Sequence, residues 1–373
     1  MVYDAIVLGV GGMGSAACYH LASRGARVLG LERHQIGHDR GSSHGQTRLI
    51  RQAYFEGADY LPLLRRAYHL WGRLEREIGG TLFEKTGMVI FGPADGGEIL
   101  PSILEVAHRE GVPVEVLSPE DAATAYPGIT PPPGYRGVLE PGAGFLAVEG
   151  CANAHATVAR RKGAVLLEGV EVSGWKASES QVVVETTQGE TYRGKKLIIT
   201  AGAWAGPLLG GLSVPLRVHR QSVFWFPSDV TSHSGSFMPC FGFDLPDGFF
   251  YGVPAIDALG VKVAHHWPGP VVDDPNNVDR AFLAKDADRV LKVVSELLPG
   301  VRGIMTRDGV CMYTMTDDGH FIVDRHPGHP NVVFAAGFSG HGFKFAPVIG
   351  EIMADLALDG VTEHTIEFLR LRW

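Results

Sequence analysis

Residues with the spacing for nucleotide chemistry lie near the start of the chain. Gly9, Gly11 and Gly14 form a G-x-G-x-x-G run, placed directly after the apolar stretch 3–8 and before a helical pattern over 15–24 that Gly25 closes. Gly9 permits a tight turn, Gly11 lets the backbone approach a pyrophosphate, and Gly14 lets helix and strand pack closely. The amides of the helix N-terminus then face the phosphates. A second strand over 27–31 ends at Glu32, where a carboxylate can accept hydrogen bonds from a ribose diol. Strand, glycines, helix, strand and acid stand in the order that dinucleotide binding needs. The acid favours an unphosphorylated ribose, hence NAD or FAD over NADP. The motif does not choose between those two.

Other chemistries fail on spacing. Gly337-Phe338-Ser339-Gly340-His341 carries His where the nucleophile elbow of a hydrolase needs its second glycine. His265 and His266 are neighbours on a predicted strand, so they point to opposite faces and cannot ligate one metal. There is no H-E-x-x-H and no carboxylate pair at ligand spacing, and no metal is expected. Cys18, Cys151, Cys240 and Cys311 are far apart and read as small buried hydrophobes in a reducing cytosol. Residues 5–23 lack charge, but they also lack a basic flank, and glycines interrupt them. No other run approaches about 18 consecutive apolar residues. The expectation is a soluble cytoplasmic protein without a membrane partner. Across 373 residues, 33 Lys+Arg against 41 Asp+Glu give a net charge of −8, which argues against a nucleic-acid partner. A local cationic pocket stays open. The length suggests two domains.

The elements that must position these residues follow from periodicity. Residues 38–48 are polar and glycine-containing and read as a loop over a ligand. Helical spacing runs over 59–78, 98–110 and 281–298, and a strand over 86–91. Pro131 to Gly134 marks a surface loop. Two alternating runs, 181–186 and 191–200, flank Gln188-Gly189 as in a hairpin. A β-rich stretch covers 214–265, with strands near 310–313 and 321–324. Strand 331–336, the turn 337–342 and a helix over 345–358 repeat the opening pattern at the far end. A C-terminal strand of this kind can return beside the first one and complete one sheet. The expected fold is α/β plus α+β: a Rossmann-like, glutathione-reductase-type domain from 1–85, 146–212 and 325–373, with an inserted mixed β-sheet domain from 86–145 and 213–324.

Four blocks carry a resemblance. These are Gly41-Ser42-Ser43-His44-Gly45-Gln46-Thr47-Arg48-Leu49-Ile50-Arg51, Thr200-Ala201-Gly202-Ala203-Trp204, Cys311-Met312-Tyr313-Thr314, and Gly337-Phe338-Ser339-Gly340-His341-Gly342-Phe343-Lys344-Phe345. Together they resemble the monomeric sarcosine oxidase and N-methyltryptophan oxidase family over almost the whole length. That resemblance implies FAD held by a cysteine thioether, a small secondary amino acid as substrate, O2 as acceptor and a monomer.

Residue by residue, the resemblance makes Cys311 the flavin attachment point; by itself it would be a buried structural cysteine. Gly9, Gly11, Gly14, Glu32, Ser42, Ser43, Thr47, Arg48, Gly340, His341, Gly342 and Lys344 are then cofactor contacts. Arg51 and Lys344 match the pair that grips the substrate carboxylate, the Arg as a fork and the Lys as a point charge. Catalysis falls to Arg48 near the flavin ring, Lys262 facing the flavin for reaction with O2, and His266, Tyr251 and Tyr313 around the substrate. Alternation puts Lys262, Ala264 and His266 on one strand face.

The implied reaction takes sarcosine, water and O2 to glycine, formaldehyde and hydrogen peroxide. The block 239–245 fits the family loosely: Gly242 stands where a larger apolar side chain is expected, and could leave room for a bulkier substrate. N-methyl-L-tryptophan or a pipecolate-type imino acid therefore stays open. A rival from another class, an NAD-dependent dehydrogenase, rests on the first motif alone.

Overall fold

The computed structural model describes residues 1–212, 214–228, 233–235, 237–266 and 268–371. Residues 229–232 and 236 of the expected β-rich stretch, and the ends of two expected domain segments at 213 and 372–373, lie outside the described residues.

Strand Val2–Leu8 occupies the middle of a parallel sheet ordered Val165–Glu168, Val28–Glu32, Val2–Leu8, Thr191–Ile199, His329–Ala336. Such strands are apolar on both faces because both faces are covered. Ala5 and Val7 pack into a core with helices Gly12–Ser23, Val148–Arg161 and Ala346–Leu358, while Ile6 and Leu8 pack on the other side with Val182 and Val184. The latter two belong to a hairpin-linked ribbon, Val172–Ala177 and Val182–Thr186, that joins antiparallel to the start of Thr191–Ile199. Ile322–His326 closes the far edge antiparallel to His329–Ala336.

One expectation is corrected. The C-terminal strand does not lie beside the first; Thr191–Ile199 sits between them. Val2–Leu8 already has a partner along each edge, so the last strand takes the next free ladder. The turn behind the first strand is as the glycines require. Gly9 has φ +82°, and a Cβ on Gly14 would lie 1.8 Å from the Gly9 carbonyl oxygen.

The second large sheet runs Arg307–Met315, Arg217–Phe226, Val261–His265, Gly248–Val253, Cys240–Leu245, Met88–Pro93, Tyr135–Glu140, Glu115–Leu117. The Cys240–Leu245 and Met88–Pro93 pair is parallel and the rest are antiparallel, so the sheet is mixed. Period 2 divides its side chains. Phe91, Phe224, Phe241, Phe243, Phe250 and Val263 share one core with the buried side of helix Ala284–Leu297. On the opposite face, the register places Gln221 beside Cys311, His219 beside Tyr313, Trp225 beside Lys262 and Tyr251 beside Ala264.

The polar stretch 38–48 is not all loop. Thr47–Ile50 is a strand paired with Gly144–Ala147, which also pairs with Phe83–Glu84. Periodicity also left unread the helix Val148–Arg161, although its exposed positions 150, 153, 157, 160 and 161 recur at helical spacing. Among the described residues, no helix is long and apolar enough to cross a membrane. Gly14→Ala should lower stability by about 1–3 kcal/mol, as overpacking does. Gly206→Ala, where a Cβ meets nothing within 4 Å, should not; urea titration of both variants checks this.

Candidate active site

A hollow of about 440 Å³ runs between the two large sheets. At one end lie Gly9, Gly11 and Glu32. No atom beyond its chain neighbours comes closer than 4.0 Å to a Cβ built on Gly11, so the backbone there is open to a ligand. The buried Glu32 carboxylate accepts the Val10 amide at 2.8 Å and the His34 amide at 3.0 Å. It pins the glycine turn as well as facing the hollow. Ser43 and Ser42 continue the wall: the Ser43 hydroxyl accepts the Gly12 amide at 3.3 Å, and Ser42 donates to the Met312 carbonyl at 2.6 Å.

At the other end the sheet face meets the 337–345 turn. Arg48, Arg51, Tyr251, His266, Cys311 and Tyr313 line this end, with Gly340, His341, Gly342 and Lys344 opposite. Three expected site residues stand back from the wall: Gly14, Thr47 and Lys262. Gly14 serves the packing described above. Lys262 is 2% exposed and donates to the carbonyls of Gly45 at 2.6 Å and Thr47 at 3.0 Å, and to the Thr47 hydroxyl at 3.3 Å. It is not a solvent-facing strand lysine.

Arg51 and Lys344 are 5% and 6% exposed, so neither is a surface cation. Arg51 is not free: it forms a 2.5 Å ion pair with Glu56 and donates to the Ala53 carbonyl at 2.9 Å. Tyr54 lies between the two cations, with Arg51 Cζ 4.7 Å and Lys344 Nζ 4.9 Å from its ring centroid. Its hydroxyl bonds His341 Nδ1, and His341 Nε2 meets the Gly319 carbonyl at 3.0 Å. A carbonyl only accepts, so Nε2 carries the proton and Tyr54 donates to Nδ1. Lys344 donates to the His341 carbonyl at 2.7 Å.

Burial and charge set the ionisation of these groups. Burial would raise the Glu56 carboxyl, but Arg51, His341, Lys344 and His266 together hold it down at about 2. Burial lowers Lys344 to about 7, opposed by Glu56 and assisted by Arg51. It also lowers His266 to about 4 and His341 to about 3, so both rings are neutral near pH 7. His266 Nδ1 lies 3.1 Å from the Tyr313 hydroxyl. Burial pushes the Cys311 thiol up, yet His44, Arg48 and Lys262 outweigh it and bring the thiol down to about 6. Arg48 Nη2 lies 3.4 Å from its sulfur and also donates to the Ser42 carbonyl at 2.7 Å. A thiolate beside a cation is a nucleophile.

The room expected at Gly242 is filled. A Cβ there would lie 2.6 Å from Phe249 Cζ, and that ring itself faces the hollow, 5.5 Å from Phe55. The sequence reading missed Glu56, Tyr54, Phe55 and Phe249. Tyr54, Phe55 and Glu56 follow Arg51 closely in the chain but carry no spacing signal, and only folding brings them and Phe249 toward His266. Among the described residues, no cluster of three His, Cys, Asp or Glu side chains could hold a metal ion.

A glycine turn under a long hollow, with a buried thiol and cations at its far end, defines a dinucleotide-dependent oxidoreductase. Residues 4–356 match the family described as FAD dependent oxidoreductase. The chain is 40% identical over 374 residues to monomeric sarcosine oxidase of Bacillus sp. (strain B-0618), covering 99% of this chain and 95% of the relative. It is 35% identical to N-methyl-L-tryptophan oxidase of Salmonella enteritidis PT4, covering 100% and 99%. The open form of NikD, an unusual amino acid oxidase essential for nikkomycin biosynthesis, superposes with a TM-score of 0.89 at 26% identity, over 100% of this chain and 98% of that one. The chain belongs to the FAD dependent oxidoreductase family, within its group of monomeric sarcosine oxidases and N-methyl-L-tryptophan oxidases. It is an FAD-dependent amine oxidase, and the NAD reading falls away.

The residues present fit FAD: the hollow is continuous from Glu32 at the turn to Cys311 on the sheet. Two buried cations backed by aromatic rings present the charge that a small carboxylate needs. Their affinity for acetate should fall by up to about tenfold per pH unit above pH 7, as Lys344 loses its proton in the free protein. Lys344→Met should bind acetate about tenfold or more weakly and lose that slope, read by calorimetry across pH.

Proposed function

We propose that the chain oxidises a secondary amino acid, sarcosine first, with water and O2 to glycine, formaldehyde and hydrogen peroxide. The observation that carries this reading is the pair of buried cations, Arg51 and Lys344, in one hollow with a neutral His266. The bound flavin supplies the two-electron acceptor for the C–H bond beside the amine.

The chain's residues do the rest. Lys344 and Arg51 take the substrate carboxylate, and Arg51 must exchange its Glu56 partner or share it. The same cations disfavour a protonated amine, which leaves the nitrogen lone pair available for oxidation. His266, Tyr251 and Tyr313 wall the substrate. Arg48 offsets negative charge that builds on the reduced cofactor. Gly9, Gly11, Glu32, Ser42, Ser43, Thr47, Gly340, His341 and Gly342 hold the cofactor, and Gly14 closes the turn behind it. Cys311 holds it covalently; support comes from its lowered thiol and the Arg48 contact. Lys262 promotes reaction with O2 from behind the wall.

Sarcosine is preferred because Phe249 occupies the space at Gly242, which leaves a small apolar wall. The second reading, N-methyl-L-tryptophan, draws on the aromatic pair Phe55 and Phe249, against which an indole could stack, and on the Salmonella relative. A pipecolate-type ring is the third choice. The relatives' name supports a monomer, and four free buried cysteines support the cytoplasm. The same proposal divides the chain into a cofactor part, 1–85, 146–212 and 325–373, and a substrate part, 86–145 and 213–324.

A peroxide assay across N-methyl and cyclic amino acids should give the highest kcat/KM with sarcosine. Peroxide from none of them would overturn the proposal. Cys311→Ser should release all flavin colour on acid precipitation; colour retained in the pellet removes Cys311 from its role. Lys262→Met should slow reoxidation of the reduced protein by O2 at least about tenfold, measured by stopped flow apart from the reduction step.

A further inference from the structure

The Lys262 ammonium is held by three oxygens, those of Gly45, Thr47 and the Thr47 hydroxyl. Carbonyls only accept, and three acceptors suit –NH3⁺ rather than a neutral amine. The surroundings oppose that charge. Arg48 on the strand Thr47–Ile50 and Arg307 on the strand Arg307–Met315 are cationic, and the lysine is almost fully buried. Cys311, on the same strand as Arg307, and Cys240, on the strand Cys240–Leu245, also lie near it, and the Trp225 ring lies 5.4 Å from Nζ and 5.1 Å from Arg307 Cζ. A ring face shared by two cations helps both but neutralises neither.

A Cys311 thiolate favours the ammonium, but the thioether proposed above removes that charge, and the acid that then answers is Glu149, at the start of helix Val148–Arg161. Its Oε1 accepts the Gly45 amide at 2.7 Å and the Gln46 amide at 3.1 Å. The Gln46 N–H and the Gly45 C=O belong to one peptide group. Its N–H end meets the carboxylate and its C=O end meets the ammonium at 2.6 Å. Charges on both ends polarise that peptide in the same sense.

The turn is built for this alignment. Gly45 and Gln46 have φ +93° and +67°, so two successive amides converge on one oxygen. For Gln46, which carries a Cβ, that conformation is unfavourable and persists only because its surroundings hold it. Gln46 Oε1 accepts the Trp225 indole N–H at 2.7 Å, Nε2 donates to Asp257 at 2.7 Å, and its carbonyl accepts the Val148 amide at 2.9 Å.

We propose that Glu149 is the counter-ion of Lys262, acting through the Gly45–Gln46 peptide group, and so a positioning residue for the encounter of the reduced cofactor with its acceptor. The functional half of this inference rests on the reading of Lys262 given above; the electrostatic half does not. Glu149→Gln keeps an oxygen that can accept both amides and removes only the charge, so it separates the counter-ion role from that of a turn support.

The test uses holoprotein with 15N-labelled lysine, in which the Lys262 signal is identified by its loss in Lys262→Met and titrated by NMR. In Glu149→Gln the midpoint should fall by about one pH unit, a tenfold change in proton affinity. The pH limb on which reoxidation by O2 declines should move down by the same amount. A folded, coloured Glu149→Gln protein with the parental Lys262 midpoint overturns the proposal. Should that variant not fold, Glu149→Asp, which withdraws the charge by one methylene, must also lower the midpoint, and an unmoved value overturns the proposal equally. Lys262→Met that reoxidises at the parental rate refutes the O2 role of Lys262 instead, and leaves the titration result to decide the counter-ion.

Discussion

Four cationic side chains, Arg48, Arg51, Lys262 and Lys344, share a region from which most water is excluded, and much of the site's geometry follows from compensating them. An uncompensated buried charge costs several kcal/mol. Each cation is therefore tied to a partner, and several of those partners come from distant parts of the chain. Arg51 has Glu56 on its own loop. Arg48 reaches the Ser42 carbonyl and the Cys311 sulfur. Lys262 reaches across from its sheet to the Gly45 and Thr47 carbonyls. Lys344 is anchored to the His341 carbonyl one turn before it. The Arg48–Cys311 and Lys262–Gly45/Thr47 contacts join the mixed sheet to the 42–48 segment along the hollow, so these charged groups also hold the architecture.

Compensation within the hollow is uneven. Glu56 is ion-paired with one of the two cations near the substrate position, while the histidines beside them are kept neutral by burial. Tyr54 lets Arg51 and Lys344 approach each other by offering an aromatic face to both. The thiol of Cys311 is drawn into the same field, and the cations that would stabilise negative charge in a ligand also lower its proton affinity.

The mixed sheet supplies the rigidity this requires. Its alternation sends phenylalanines to the core on one side and Tyr251, Cys311 and Tyr313 to the hollow on the other, with Lys262 on that same face behind the wall. A slip of one residue in any of these strands would exchange the two sets. The aromatic core behind the sheet therefore fixes the register of the polar face in front of it.

Much of this could be read from the residues before any fold was known. The opening strand, its glycines and Glu32 are contiguous, and local sterics dictate the tight Gly9 turn and the close Gly14 packing. The blocks around Arg48, Cys311 and Lys344 are likewise continuous runs, and their resemblance to one family named most of the hollow's wall. What the chain order could not reveal is pairing across distance. The C-terminal strand found Thr191–Ile199 rather than Val2–Leu8, Phe249 took the space left by Gly242, and Glu149 met Lys262 through a peptide of another segment. Turn conformation and strand period are local properties, written in neighbouring residues. Which buried charge faces which depends on how whole layers stack, and that is settled only when the sheets close on each other.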